Sequence, residues 1–162
     1  VLGDIQTETT HQMLLQLEDA YSQLNKKVEV WIKPHSANPV DLRWYPQLPA
    51  TLKDQFLMDL FPDVGVVLAS VFTSASLDAF CAGLPVINYL DPNNFNFSPL
   101  RGMKGALFVS SADELKQAMD QVRSHQPIQN IDNIFWTDQE LPRWKALLRL
   151  EEPPMLQKTT PV

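Results

Sequence analysis

Three short apolar runs in the second half of the chain predict strands, and the first two are typical of strands that are buried on both faces of a parallel sheet. They are "VGVVLAS" at 64–70, "LPVINYL" at 84–90 and "ALFVS" at 106–110. A helix is predicted between the first two, because "TSASLDAFCAG" at 73–83 opens on hydroxyl residues and closes on a glycine. A second helix is predicted after the third run, where Ser111 and Glu114 form a capping box. This alternation of strand and helix favours an α/β protein.

The first half of the chain continues the same alternation. The pattern predicts a strand at 1–5 and then a helix, capped by Thr9 or Thr10, whose apolar residues keep helical spacing from Met13 to Leu24. A strand at 27–35, a loop at 36–50 with a short strand near 44–48, and a helix at 50–61 are predicted to follow. Strand and helix therefore alternate about five times. We expect a Rossmann-like three-layer α/β/α sandwich with a mostly parallel sheet of about five to six strands.

Length and composition narrow the class of protein. A chain of 162 residues suits one domain, which we place at 1–150 and follow with a polar, proline-rich tail at 151–162 that we expect to be disordered. The region 126–137 is predicted to be irregular, and a last helix is predicted with Pro142 in its first turn. Because the chain opens on "VLGD" without a methionine, we expect a fragment of a longer protein.

Charge and cysteine content exclude further classes. The net charge of −6 argues against binding to a nucleic-acid backbone, which needs a basic surface. The single cysteine fits a reducing compartment, and no apolar stretch reaches the ~20 residues of a membrane span. We therefore expect a cytoplasmic domain without a membrane span, with any membrane association coming from the rest of the protein.

Small hydroxyl residues mark the turn between the strand at 64–70 and the following helix. Thr73, Ser74 and Ser76 occupy this turn, where free backbone N–H groups favour a phosphate. Simple helix capping explains the same residues equally well. Asp78 follows Ser74 by one helical turn and could accept hydrogen bonds from a ribose, although a surface carboxylate there needs no special role.

A cation and an imidazole end the strand at 27–35. Lys33 and His35 point to one side of an extended chain and would reach the edge of the sheet where the hydroxyl turn lies. They could bind a diphosphate or protonate a leaving phosphate. The alternative is a polar pair that faces water. The spacing of cysteine and histidine predicts no metal site.

Three segments resemble a known family. "TSASLDAFCAGLPVI" is similar to the donor-site segment of GT-B glycosyltransferases, "KPH" resembles the His-Pro motif of bacterial sialyltransferases and polymer glycerophosphotransferases of that fold, and "FWTDQELPRWKALL" is similar to the closing segment of bacterial surface-carbohydrate biosynthesis proteins. The resemblance implies the C-terminal, donor-binding domain of an enzyme that acts in surface polysaccharide synthesis. It implies a nucleotide-sugar substrate of the CMP or UDP type and no separate cofactor.

The resemblance also implies roles for residues. The helix N-terminus with Thr73, Ser74 and Ser76 would hold the nucleotide phosphate, Asp78 the ribose, and His35, with Lys33 beside it, would meet the phosphate as the catalytic residue. The acceptor-binding domain would lie N-terminal in the same polypeptide, so this domain alone would bind its donor without turnover. Two alternatives stay open: a non-catalytic nucleotide- or partner-binding domain, and half of a nucleotide-sugar epimerase.

Overall fold

The computed structural model describes residues 1–122 and 140–149, in two compact units, Val1–Ile131 and Asp132–Val162. In the first unit the helices are α1 (Thr7–Ser22), α2 (Leu57–Leu60), α3 (Ala75–Cys81) and α4 (Ala112–Val122), with short 3-10 helices at Leu42–Trp44 and Phe61–Asp63. The strands are β1 (Val30–Ile32), β2 (Ala50–Leu52), β3 (Val67–Ser70), β4 (Val86–Tyr89) and β5 (Ala106–Val109). The second unit contains α5 (Pro142–Leu147).

The described strands form two parallel sheets. One sheet pairs β1 with β2, and the other has the order β3–β4–β5. Leu2 makes one parallel bridge to Lys33 and another to Ala69, so it lies between the two sheets. The α/β class with parallel strands is therefore confirmed, whereas one sheet of five to six strands is not what the structure has.

The first predicted strand is shorter than expected because its backbone leaves the pairing pattern early. Leu2 N–H donates to Leu68 C=O and Gly3 N–H donates to Lys33 C=O. Asp4 N–H then turns to the hydroxyl of Thr10 instead of a neighbouring strand. Only Leu2 thus remains as a bridge where a strand at 1–5 was predicted.

The core of the first unit packs α1 and α4 against the strands. The apolar residues of α1 recur at helical spacing and are buried, as the sequence predicted, and α4 contributes a second apolar stripe. Both stripes belong to one cluster with residues of β3, β4 and β5, including Leu68, Ile87 and Val109. Helix α3 packs against β3 and β4.

Several element boundaries differ from the prediction. Helix α1 begins at Thr7 after Gln6, so neither Thr9 nor Thr10 caps it. No strand forms at 44–48, where Pro46 cannot donate to a ladder; β2 forms at 50–52, where a helix was predicted. The helix of 50–61 is reduced to the single turn of α2.

The Ser111 cap of α4 and the glycine at the end of α3 agree with the prediction, whereas Ser74, at the N-cap of α3, makes no side-chain capping hydrogen bond. Glu114 N–H donates to the Ser111 hydroxyl at 3.3 Å, and Gly83 ends α3 with a φ of 85°. Helix α5 begins at Pro142. The tail at 151–162 and the region 126–137 lie outside the described residues, and the boundary at residue 150 stays a prediction.

Candidate functional site

The buried carboxylate of Asp4 fixes the backbone that follows Leu2 by its hydrogen bonds. Asp4 is fully buried; its Oδ1 accepts Gln6 N–H at 2.8 Å, and its Oδ2 accepts the Ser70 hydroxyl. The Ser70 Oγ in turn accepts Phe72 N–H at 3.2 Å. Since Ser70 is the last residue of β3, this chain of hydrogen bonds fixes the start of the turn that leads into α3.

Because residue 3 is a glycine, the backbone at His35, just after β1, can lie against it and close to Asp4. A Cβ atom on Gly3 would lie 2.8 Å from the backbone nitrogen of His35, closer than packed atoms tolerate. The turn at 35–38 is closed by Asn38 N–H donating to His35 C=O at 2.9 Å. The Asn38 amide also donates to the carbonyl of Asp4 at 3.2 Å. Gly3 and Asp4 therefore touch the His35 turn on one side and the start of the hydroxyl turn on the other.

The three hydroxyl residues of the turn differ in their surroundings. Thr73 Oγ1 accepts Ala75 N–H at 3.3 Å, and the Ser76 hydroxyl is buried and donates to Thr73 C=O at 2.9 Å. Ser74 is exposed at the N-cap of α3, and its side chain makes no capping hydrogen bond. The side chains of Thr73 and Ser76 are thus engaged in hydrogen bonds within the turn. The exposed hydroxyl of Ser74 is therefore the one that a ligand reaches most easily.

Asp78 lies one helical turn beyond Ser74, and both side chains are exposed. The Asp78 N–H donates to Ser74 C=O at 3.1 Å, which ties the two positions together. Burial of Cys81, and after it the negative charge of Asp78, raises the pKa of the Cys81 thiol. The outer side of α3 thus carries a hydroxyl and a carboxylate, as the spacing predicted.

Lys33 and His35 end up in different surroundings. Lys33 is half-buried as a residue, and its ammonium donates to the backbone carbonyl of Asp54 at 2.9 Å in an exposed position. His35 Nδ1 accepts Ala37 N–H at 3.2 Å, so the neutral ring carries its proton on Nε2. Within residues 1–122 no hydrogen bond joins either side chain to the hydroxyl turn. Their predicted roles toward a phosphate stay predictions.

A second buried carboxylate at this edge was not among the predicted site residues. Asp91 follows β4 and accepts hydrogen bonds from the Thr9 hydroxyl at 3.0 Å, Asn93 N–H at 2.9 Å and the Asn94 amide at 2.8 Å. Burial alone would raise the pKa of Asp91, but these hydrogen bonds outweigh it and hold the pKa below its ordinary value. An aspartate followed by Pro-Asn-Asn after a buried strand is the signal that could have indicated this turn.

A cavity of about 470 Å³ lies elsewhere in the first unit. It is lined by residues at the starts of β1 and β3 and by α4, so it opens at the opposite ends of those strands from Asp4 and Ser70. Glu29 and Asp63 are the charged residues among its described lining. A mostly apolar lining without converging polar groups gives no basis for phosphate recognition.

Comparison of the chain with protein-family models, with curated proteins and with solved structures finds no match. Among the described helices, none is both long enough and apolar enough to cross a membrane.

Proposed function

We propose that this chain is the nucleotide-sugar-binding half of a GT-B glycosyltransferase that acts in bacterial surface polysaccharide synthesis. One observation carries the proposal. Asp4, two residues after Leu2, and Ser70, the last residue of β3, share a hydrogen bond directly before the hydroxyl turn. When the Leu2 bridges are counted as a strand, the order becomes β2–β1–Leu2–β3–β4–β5. In Rossmann-like sheets of this order, ligands bind where Leu2 and β3 meet, because the strand order reverses there.

Each candidate residue has a role in this proposal. The exposed Ser74 hydroxyl donates to the phosphate of a CMP- or UDP-type donor, and Asp78 accepts from the ribose. As an imidazolium, which requires Nδ1 to release the Ala37 N–H and take up a proton, His35 donates from Nε2 to the phosphate, protonates it as it leaves and becomes the neutral ring with its proton on Nδ1. Lys33 joins through the N–H groups of its ammonium that the Asp54 carbonyl does not accept. The acceptor-binding domain would be N-terminal in the longer polypeptide, so the present chain binds without turnover.

A second candidate is a nucleotide-binding domain without catalysis. It is favoured because, within residues 1–122, no hydrogen bond joins Lys33 or His35 to the hydroxyl turn, where a leaving phosphate would need a proton donor. Half of a nucleotide-sugar epimerase would use the same binding site. Product analysis of the longer protein with candidate nucleotide sugars separates transfer from epimerisation.

Two substitutions test the proposed division of the ligand. Ser74→Ala is expected to weaken both nucleotide and pyrophosphate about 10- to 150-fold, because a hydrogen bond to a charged group contributes about 1.5–3 kcal/mol. Asp78→Ala is expected to weaken CDP and UDP while leaving pyrophosphate unchanged or slightly tighter, since a nearby negative charge is removed. Dissociation constants come from amide chemical shifts of residues 33–36 and 73–78 during titration.

The matched controls are Ser22→Ala and Asp19→Ala, two exposed positions in the last turns of α1. Neither should change the affinity for any of these ligands. If millimolar CMP, CDP, UMP and UDP leave the amides of both stretches unmoved, the donor-domain proposal fails. Equal losses for nucleotide and pyrophosphate in Asp78→Ala would remove Asp78 from the ribose.

A further inference from the structure

A cluster of three phenylalanine rings, one half-buried and two exposed, lies beside the hydroxyl turn. Phe72, Phe95 and Phe97 form this phenylalanine patch: the rings of Phe72 and Phe97 have centroids 5.8 Å apart, and those of Phe95 and Phe97 are 6.2 Å apart. Phe95 is 80% exposed and Phe97 is 68% exposed. Phe72 directly precedes Thr73, so the patch adjoins the proposed phosphate site.

The exposure of the patch does not come from a loosely held loop. Asp91 anchors the start of the loop through Asn93 N–H, and the buried Ser98 and Leu100 anchor its end. Ser98 N–H donates to Asn96 Oδ1 at 3.0 Å, and Leu100 N–H donates to Ser98 Oγ at 3.3 Å. Phe95 and Phe97 therefore remain exposed to solvent although hydrogen bonds fix both ends of their loop. Exposed apolar patches of this kind are typical of binding surfaces.

A cation lies next to the patch. The Arg101 guanidinium donates to the carbonyl of Asn96, the residue between Phe95 and Phe97, at 2.9 Å. Among the described residues Arg101 has no carboxylate in ion-pair contact. Aromatic faces and an unneutralised guanidinium in one place match a ligand that is planar at one end and anionic at the other.

We propose that the phenylalanine patch stacks the base of the nucleotide, with Arg101 facing its phosphates. The proposal rests on the proposed function, which assigns the phosphates to the adjacent hydroxyl turn. It also explains why apolar rings follow two neighbouring strands, β3 and β4, at the same ends. A bilayer is the less favoured occupant, because the chain carries a net charge of −6 and anionic lipids would repel it.

The test compares nucleotide with pyrophosphate. Phe97→Leu keeps an apolar side chain but removes the flat face, and it is expected to weaken CDP and UDP about 5- to 150-fold, the range for loss of one stacked base. Pyrophosphate should bind within about twofold of wild type. Phe97→Tyr should restore nucleotide binding, since it restores a ring. Phe56→Leu, at a phenylalanine that is 83% exposed outside the patch, is the matched control and should change neither affinity.

The outcomes separate this proposal from the proposed function. If wild type binds the nucleotides and Phe97→Leu binds them equally well, the stacking role is overturned while the donor-binding function stands. An equal loss of pyrophosphate would also overturn it, because the ring would then only support the turn. If wild type binds neither ligand, both proposals fail. Loss of binding to phosphatidylserine-containing vesicles in Phe97→Leu, with nucleotide affinity unchanged, would assign the patch to a membrane.

Discussion

Replacing Ser70 with alanine tests whether the buried hydrogen bonds at the candidate site hold it in place. The Ser70 hydroxyl is completely buried, donates to the Asp4 carboxylate and accepts Phe72 N–H at 3.2 Å. Ser70→Ala removes both hydrogen bonds and adds no bulk. Of the donors in the described residues, Gln6 N–H is then the one that still bonds to the carboxylate.

The expected cost follows from the two lost partners. A hydrogen bond to a charged group contributes about 1.5–3 kcal/mol and one to a neutral group about 0.5–1.5 kcal/mol. Since Asp4 is fully buried, water cannot replace the hydroxyl without a rearrangement. We expect the free energy of unfolding to fall by about 2–4 kcal/mol. With a urea m-value of about 2 kcal/mol/M, the midpoint should fall by about 1–2 M.

Urea unfolding of the 162-residue chain, followed by circular dichroism, measures this shift. Ser110→Ala is the matched control, because its exposed hydroxyl donates to Glu114 at 2.9 Å in water. That variant should lose no more than about 0.5 kcal/mol. If Ser70→Ala and Ser110→Ala shift the midpoint equally, the Asp4–Ser70 hydrogen bond does not stabilise this edge and the reasoning is refuted.

Two further predictions concern the same edge. Gly3→Ala should lower the free energy of unfolding in urea by about 1–3 kcal/mol, because its Cβ would lie 2.8 Å from the His35 backbone nitrogen. In the control Gly65→Ala the new Cβ meets no atom within 4 Å, so stability should be unchanged. Equal effects of the two substitutions would contradict the contact at Gly3. Burial opposes the charged form of Asp91, but its hydrogen bonds hold the pKa of its carboxyl below 3.8. The stability that the carboxylate contributes is therefore present above about pH 4 and is lost as the pH falls through the pKa of Asp91 in the folded protein. The free energy of unfolding should therefore fall more steeply below about pH 4 in wild type than in Asp91→Asn, and parallel curves would count against the assignment.

Patterns within single segments predicted much of the fold. The uncharged apolar runs predicted β3 and β4, whose residues are all buried, because a strand buried on both faces has no place for a charge. The third run predicted β5, in which Val109 is buried and the other residues are half-buried. Helical spacing in α1 was confirmed because burial along a helix repeats with the period of that helix. The Ser111 cap of α4 was confirmed because a capping side chain bonds to a backbone N–H only a few residues along the chain. The turn chemistry around Thr73 and Gly83 is equally local.

The positions of the polar side chains needed the tertiary structure. Thr9 has the sequence signature of a helix cap, yet it bonds to Asp91, 82 residues away. The partner of Asp4 is Ser70, 66 residues away, and Lys33 bonds to a carbonyl in another segment.

The sequence by itself thus determined helix α1 and the alternation of strands and helices from β3 to α4, and it indicated which ends of these elements carry hydroxyl and charged residues. It did not determine β2, which forms at 50–52 where a helix was predicted. The tertiary structure decided which of those side chains are already bonded within the protein, as Ser76 and Lys33 are, and which face water, as Ser74 and Asp78 do. The physical reason is that periodicity reports burial along one element, whereas a hydrogen-bond partner is set by packing between elements that are distant in the chain.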